Sequence, residues 1–282
     1  MATNTTTSLV NPDKEFALGL ERTVDGFIRF PRDIELRRSL FDPDSFKHPA
    51  KANIHLIRAI VEFVSQEGET IMDVMAGTGT LMMATLSGRK VVLIEDAPIF
   101  FSYIMNSQAR FVEEQGVDTG AITLLHGDCE SYLPLPCDHI IFSPPYSSTI
   151  KFKATADSTK FLGGSTYIDG DLDVFEDYLG TDKNFGRLKP FQYNQRMLNV
   201  YRLCLQSIRP GGTLTIIIQD MMKGGKREPL SEWAMSSCLR MGFELSDWFK
   251  RYSPGTGYKQ ERRKKGYKVI ENEDIIILRK PE

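Results

Sequence analysis

The residues best suited to chemistry fall in one short stretch, Ile140-Ile141-Phe142-Ser143-Pro144-Pro145-Tyr146. Three apolar residues end in a hydroxyl, two prolines and an aromatic ring. Proline fixes φ, carries no N–H, and pushes the residue before it toward extended geometry. Ser143 and Pro144 are therefore expected to be held extended at the end of a buried strand. A hydroxyl, backbone carbonyls and an aromatic face at one point suit a flat, polar ring that carries an amine. An ordinary strand-to-loop exit uses the same residue types, so the weight comes from what the other strand ends carry.

A second set spans Asp73 to Thr80, where Gly77 and Gly79 stand between a strand and a helical run. A glycine pair there lets backbone approach a ligand closely. Dinucleotides and S-adenosylmethionine both use such a turn. The dinucleotide fingerprint needs a third glycine three residues later, and that position is Met82, which weakens the pyrophosphate reading. Asp73 suits a ligand with an ammonium group. Glu95 suits two ribose hydroxyls, because one carboxylate can accept both. Asp128 is placed to accept from an adenine amino group. The bland alternatives are solvated strand ends and a plain tight turn.

Short apolar runs position these residues. Strands are expected at 70–75, 90–95, 122–125, 138–142 and 213–218, then at 243–248 and 274–278. Between them, helical spacing falls at 54–64, 81–86, 98–114, 191–208 and 230–241. Residues 209–212 read as a turn and 223–228 as a charged, glycine-rich loop. Strands that are continuous apolar runs alternating with helices predict an α/β fold with helices on both faces of the sheet. Ligands bind such sheets at the carboxyl ends of the strands. The glycine turn, Glu95, Asp128 and Ser143 to Tyr146 all lie there.

With 35 basic and 37 acidic residues among 282, the chain does not advertise a polyanion partner, though a local patch can still serve. Such a patch is the tyrosine-interleaved stretch 250–268, with Tyr258, Lys259, Arg262, Arg263, Lys264, Lys265 and Lys268. The four cysteines show no C-x-x-C spacing and, with the four histidines, no metal-ligand set. No apolar run is long enough to span a membrane. The Thr-rich start lacks signal-peptide blocks, so a cytoplasmic protein with reduced thiols is expected. Residues 1–47 read as an N-terminal arm and 48–282 as a catalytic domain. That domain includes a polar insertion at 147–189, too long for an ordinary loop.

The sequence resembles the class I S-adenosylmethionine-dependent methyltransferases, specifically those that methylate amino groups of DNA bases. Asp73-Val74-Met75-Ala76-Gly77-Thr78-Gly79-Thr80 matches their glycine motif, and Ser143 to Tyr146 matches their [DNS]-P-P-[YFW] catalytic motif. His48-Pro49-Ala50-Lys51 matches a segment that in that family packs against the methionine end of the cofactor. The resemblance implies a Rossmann-like, seven-stranded, mostly parallel sheet with an antiparallel seventh strand. It implies S-adenosylmethionine as cofactor, and cofactor contacts from His48, Pro49, Lys51, Asp73, Ala76, Gly77, Thr78, Gly79, Thr80, Glu95 and Asp128. Cofactor half first and catalytic half second resembles the family's γ arrangement.

An exocyclic amine is a poor nucleophile, because its lone pair is delocalised into the ring. Acceptance of its hydrogens by the Ser143 hydroxyl and the Pro144 carbonyl favours a more tetrahedral nitrogen, with Tyr146 stacked on the base. A duplex base must first be flipped out. Carbon-5 methylation instead needs a cysteine nucleophile, and Cys137 precedes its strand. Serine at the first motif position favours cytosine N4 over adenine N6 in that family. Phosphate contacts are expected from the basic stretch, with Lys151 and Lys153 as further backbone contacts. The arm and the insertion are the candidates for target recognition. Neither metal nor membrane is expected as a partner, and a homodimer is compatible with this reading. Two other readings stay open: an RNA methyltransferase acting on guanine N2, and a catalytically silent fold used as a binding subunit.

Overall fold

The computed structural model describes residues 8–48, 51–145, 184–223, 225–253 and 257–282. Its strands are β1 (Thr70–Asp73), β2 (Lys90–Glu95), β3 (Ile122–His126), β4 (Cys137–Phe142), β5 (Ile208–Ile218), β6 (Met221–Lys223), β7 (Lys226–Glu228), β8 (Glu244–Tyr252) and β9 (Asn272–Arg279). Seven of them form one sheet in the order β3-β2-β1-β4-β5-β9-β8. The first five are parallel, and β9 runs antiparallel to both β5 and β8. The mostly parallel sheet with an antiparallel last strand is the one the sequence led us to expect. The winding reverses between β1 and β4, so the crevice at their carboxyl ends is the topological switch point.

The helices are α1 (Ile34–Leu40), α2 (Ile54–Val64), α3 (Pro98–Glu113), α4 (Cys129–Tyr132), α5 (Pro190–Ser207), α6 (Leu230–Met241) and α7 (Gly257–Lys264). Alternate strand residues face opposite layers. Ile71, Leu93, Ile141, Ile217 and Ile275 pack with Ile57, Ile60 and Val61 of α2 on one face. Met72, Ile94, Ile140, Ile216 and Ile276 pack with Met197, Val200 and Tyr201 of α5 on the other. Helix α2 starts where it does because the Asn53 side chain accepts from the Leu56 N–H at 3.0 Å, a side-chain N-cap. Each Ile or Val so buried contributes about 1.5–3 kcal/mol, which is why these runs fix the layers.

Three expected elements differ. Residues 209–212 do not end a helix in a free turn but bulge within β5. Cys137 pairs with Ile208 and His139 with Thr213, so β5 uses three extra residues. Gly211 takes φ +75°, which favours glycine, and a Cβ on Gly212 would stand 2.1 Å from the Asp138 carbonyl oxygen, which requires it. Residues 223–228 are not a loop, because β6 and β7 pair as a hairpin. The run after the glycine turn is a 3₁₀ helix, Thr80–Ser87, bounded by left-handed Gly79 and Gly88.

The N-terminal residues add to the same core. Phe16 stacks on Phe249 at 4.3 Å and meets Phe63 edge-on at 5.4 Å. Ile28 bridges to Arg251 of β8.

Candidate functional site

The turn after β1 is built by two carboxylates. Asp73 ends the strand and accepts from the Met75 N–H at 3.0 Å. Gly77 and Gly79 then take φ +57° and +72°, conformations that cost an L side chain about 1–2 kcal/mol. Glu95 ends β2 and reaches across: one oxygen accepts from the Gly77 N–H at 2.7 Å, the other from the Ala97 N–H at 2.8 Å. Ala76 donates its N–H to the Ile94 carbonyl at 2.9 Å, tying the turn to the same strand. Glu95 is therefore a clamp on the glycine turn as well as a strand-end acid. Each of its oxygens keeps a lone pair for a ligand hydroxyl.

Burial pushes the Asp73 carboxyl up to about 7, with the Met75 N–H pulling the other way. Burial likewise pushes Glu95 up to about 7; its two N–H donors oppose the shift, and the Asp73 and Asp96 charges add to it. Among the described residues no Lys or Arg forms an ion pair with either carboxylate. Two poorly hydrated carboxylates beside a glycine turn favour a cationic ligand with hydroxyl groups.

The expected partners beneath this turn are brought together in part. The His48 ring is buried, lies 4.1 Å from Phe100, and has its Nε2 3.4 Å from where a Gly77 Cβ would stand. A side chain on Gly77 would meet the imidazole. Lys51 instead turns to backbone, donating to the Phe46 and His48 carbonyls, so it holds the His48 segment. Burial, helped by the Arg37 charge, lowers its ammonium to about 8. Thr78 is buried, and the Thr80 hydroxyl accepts from Arg37 at 3.2 Å. Pro49 lies outside the described residues.

Arg37 was not singled out by its sequence, because residues 15–46 show no period. It is 2% exposed and also donates to Asp33 at 2.9 Å and to the Ala52 carbonyl at 2.6 Å. One guanidinium thus joins α1, the start of α2 and the glycine turn.

Asp128, expected to meet an adenine amino group, has protein partners of its own. It caps α4 through the Glu130 N–H at 3.1 Å and pairs with Arg196 at 2.7 Å. Arg196 Nε also donates to Glu130 at 2.6 Å, and its guanidinium lies 4.1 Å from the Phe185 ring centre. Arg196 and Glu130 come from segments 66 residues apart, so their pairing had no local signal. At the end of β3 itself, Phe101 stacks on His126 at 4.6 Å.

β4 delivers Ser143, Pro144 and Pro145 into the same crevice. Ile140 pairs with Met72 of β1, and three residues later Ser143 stands exposed with Pro144 buried behind it. Pro145 is half-buried, and Tyr146, Lys151, Lys153 and most of the 147–189 insertion lie outside the described residues. Cys137 sits at the far end of β4, where burial pushes its thiol up to about 12 and keeps it un-ionised.

The basic stretch is not one loop. Residues 250–252 belong to β8, and 257–264 form α7, which carries Tyr258 and Lys259. Ile218 of β5 pairs with Asp274 of β9, so the β8–β9 connection leaves the sheet at the edge where Ser143 stands. Arg263 is paired with Glu271, and Lys265 with Glu261 at 2.6 Å. Arg262 lies 4.8 Å from the Tyr267 ring centre, while Lys264 and Lys268 are exposed.

No family model matches the chain, and no curated protein sequence matches it. Solved structures do. TrmN from Thermus thermophilus aligns with TM-score 0.51 at 14% identity, over 86% of this chain and 52% of that one. A methyltransferase from Pyrococcus furiosus aligns with TM-score 0.47 at 14% identity, over 82% and 84% of the two chains. Precorrin-6y C5,15-methyltransferase from Geobacter metallireducens gives 0.43 at 10%, over 82% and 90%. The strand order and the TrmN alignment define the fold as that of the class I methyltransferases.

Proposed function

We propose that this chain transfers a methyl group from S-adenosylmethionine to an exocyclic amine of a DNA base, cytosine N4 ahead of adenine N6. One observation carries the reading. Asp73, the Glu95-clamped glycine turn and Ser143-Pro144-Pro145 converge on the switch-point crevice between β1 and β4.

The donor set fits the cofactor. Asp73 would hold the amino group, the free lone pairs of Glu95 would take the ribose hydroxyls, and the Gly77 and Gly79 backbone would lie against the chain between them. The cofactor supplies, when bound, an electrophilic methyl. The Ser143 hydroxyl and the Pro144 carbonyl accept the two amine hydrogens of the base. Their pull localises the nitrogen lone pair, which resonance otherwise withdraws into the ring. In the family that the sequence resembles, the aromatic at the position of Tyr146 stacks on the base, and the same role is proposed for it. The methylated amine gives up one proton to solvent at the exposed Ser143, so no strong general base is needed.

The test is to incubate the protein with S-adenosylmethionine and mixed-sequence duplex DNA, digest to nucleosides and identify them by mass spectrometry. N4-methylcytosine is the expected product. N6-methyladenine would preserve cofactor and mechanism and correct the base. Methylation of RNA alone would overturn the DNA assignment, and no transfer to either would overturn the activity.

A further inference from the structure

Helix α5 reaches both halves of the crevice. Tyr201 stands 6.4 Å from Phe142, the residue before Ser143, and Tyr193, Met197 and Val200 are buried against the sheet. Arg196 leaves the same helix toward the end of β3. Its Nη2 donates to Asp128 Oδ2 at 2.7 Å, and its guanidinium also pairs with Glu130. Asn199, three residues on and so on the same face of the helix, donates to the other Glu130 oxygen at 2.8 Å. The Phe185 ring, 8% exposed, lies against the guanidinium.

Asp128 is held on two sides by this arrangement. Its Oδ1 accepts from the Glu130 N–H at 3.1 Å and its Oδ2 from Arg196, so two points fix the plane of the carboxylate. Each oxygen accepts once and keeps a second lone pair. The side chain is 18% exposed, within reach of a ligand. It also stands beside the Glu95 clamp, because β2 and β3 pair Glu95 with His126 and the Gly127 N–H donates to the Glu95 carbonyl at 2.9 Å. The acid expected to take the ribose and the acid expected to take the adenine amine are thus tied together. Stability alone does not call for the Arg196 fork. Ion pairs between groups only about one-fifth exposed lose much of their hydration and often add little net stability. What the fork supplies is a fixed orientation, since it spans Asp128 and Glu130 from a helix anchored in the core.

We infer that Arg196 is a positioning residue for the adenosyl group: acting through Asp128, it aims that carboxylate at the exocyclic amine of adenine. This rests on the proposed S-adenosylmethionine reading. A carboxylate fixed in its plane rewards a ring that carries a donor there and repels one that carries a carbonyl.

The experiment is calorimetric titration with S-adenosylhomocysteine and with S-inosylhomocysteine, whose ring has a carbonyl oxygen in place of the amine. It compares the wild type, Arg196→Met, Arg196→Lys and Glu130→Gln, each with its melting temperature. The ratio of the two affinities is the readout, because a merely structural loss lowers both alike. The wild type is expected to favour the adenosyl compound about 100-fold. Arg196→Met should cut the ratio to about 10-fold or less. Arg196→Lys keeps the charge but not the fork and should fall between the two. Glu130→Gln loosens the same network yet leaves the Arg196–Asp128 pair, so its ratio should match the wild type. A wild-type ratio in a folded Arg196→Met, or in Arg196→Lys should the methionine variant not fold, overturns the positioning role alone. So does a Glu130→Gln ratio that falls as far as that of Arg196→Met. A wild type that binds both compounds equally overturns the Asp128 contact and this inference with it, leaving the cofactor reading in place. A wild type that binds neither overturns the cofactor reading itself.

Discussion

The substitution Asp73→Asn tests the cofactor pocket through its electrostatics. Asp73 is half-buried with its carboxyl pushed up to about 7 by burial, and among the described residues it has no ion-pair partner. A bound ammonium would return it to the ordinary carboxylate range. That is a change of about three pH units at roughly 1.4 kcal/mol each, or about 4 kcal/mol as an upper bound. Partial solvent screening reduces it to about 2 kcal/mol, about 30-fold in affinity. Binding must then release a proton where Asp73 is protonated, so wild-type affinity rises with pH from about 5.5 and levels off above about 8. Calorimetric titration with S-adenosylmethionine across this range reads both quantities. Asp73→Asn should weaken binding about 30-fold at pH 8 and flatten most of the pH dependence. The sign for the free protein is the reverse. A carboxyl whose folded pKa is raised stabilises below its ordinary range, and that contribution is lost as pH rises toward 7. Urea unfolding of the ligand-free protein should therefore show Asp73→Asn removing part of a fall in stability between about pH 4 and 7. An affinity within twofold of wild type at pH 8 would refute the ammonium site.

Further predictions concern single contacts. Glu95→Gln keeps the shape but sets an amide N–H₂ against one backbone N–H of the clamp. It should cost about 2 kcal/mol of S-adenosylmethionine affinity by calorimetry. Arg37→Met removes the guanidinium from the Ala52 carbonyl, from Thr80 and from Asp33, which keeps only the Ile54 N–H. Urea unfolding should show a loss of about 3 kcal/mol. Gly212→Ala drives a Cβ into the Asp138 carbonyl and should cost about 3 kcal/mol or prevent folding. At neighbouring Gly211 the clash is with the flexible Glu282 side chain, so Gly211→Ala should cost only the left-handed φ, about 1–2 kcal/mol. Melting curves that rank these two glycines in the opposite order would contradict the bulge.

Local signals carried most of the architecture. The sheet was legible because β2, β4, β5 and β9 each carry a run of three or four apolar residues, and α6 began and ended at the residues its period marked. The glycine turn was legible because only glycine serves where φ is positive and the backbone is approached closely. What escaped depends on distant partners. Arg209-Pro210-Gly211-Gly212 has turn chemistry, and only its pairing across to β4 makes it a bulge. Lys223 to Glu228 reads as loop because glycines and charges dominate, yet buried Asp220 fixes it as a hairpin. Arg37 and Arg196 are arginines in ordinary surroundings whose roles come from contacts 43 and 68 residues away. Glu95 was readable as a strand-end acid, but its grip on the Gly77 N–H required the two strand ends to be side by side.

The most direct test of the cofactor pocket is calorimetric titration of S-adenosylmethionine into the wild type and Gly77→Leu, with melting temperatures measured alongside. The leucine would have to adopt φ near +57° with its Cβ 3.4 Å from the His48 ring, in the turn where the cofactor is expected to lie. Saturable one-to-one binding by the wild type, and none by a folded Gly77→Leu, is the expected result. Equal affinity in the two proteins would contradict the pocket, and with it the proposed methyl transfer.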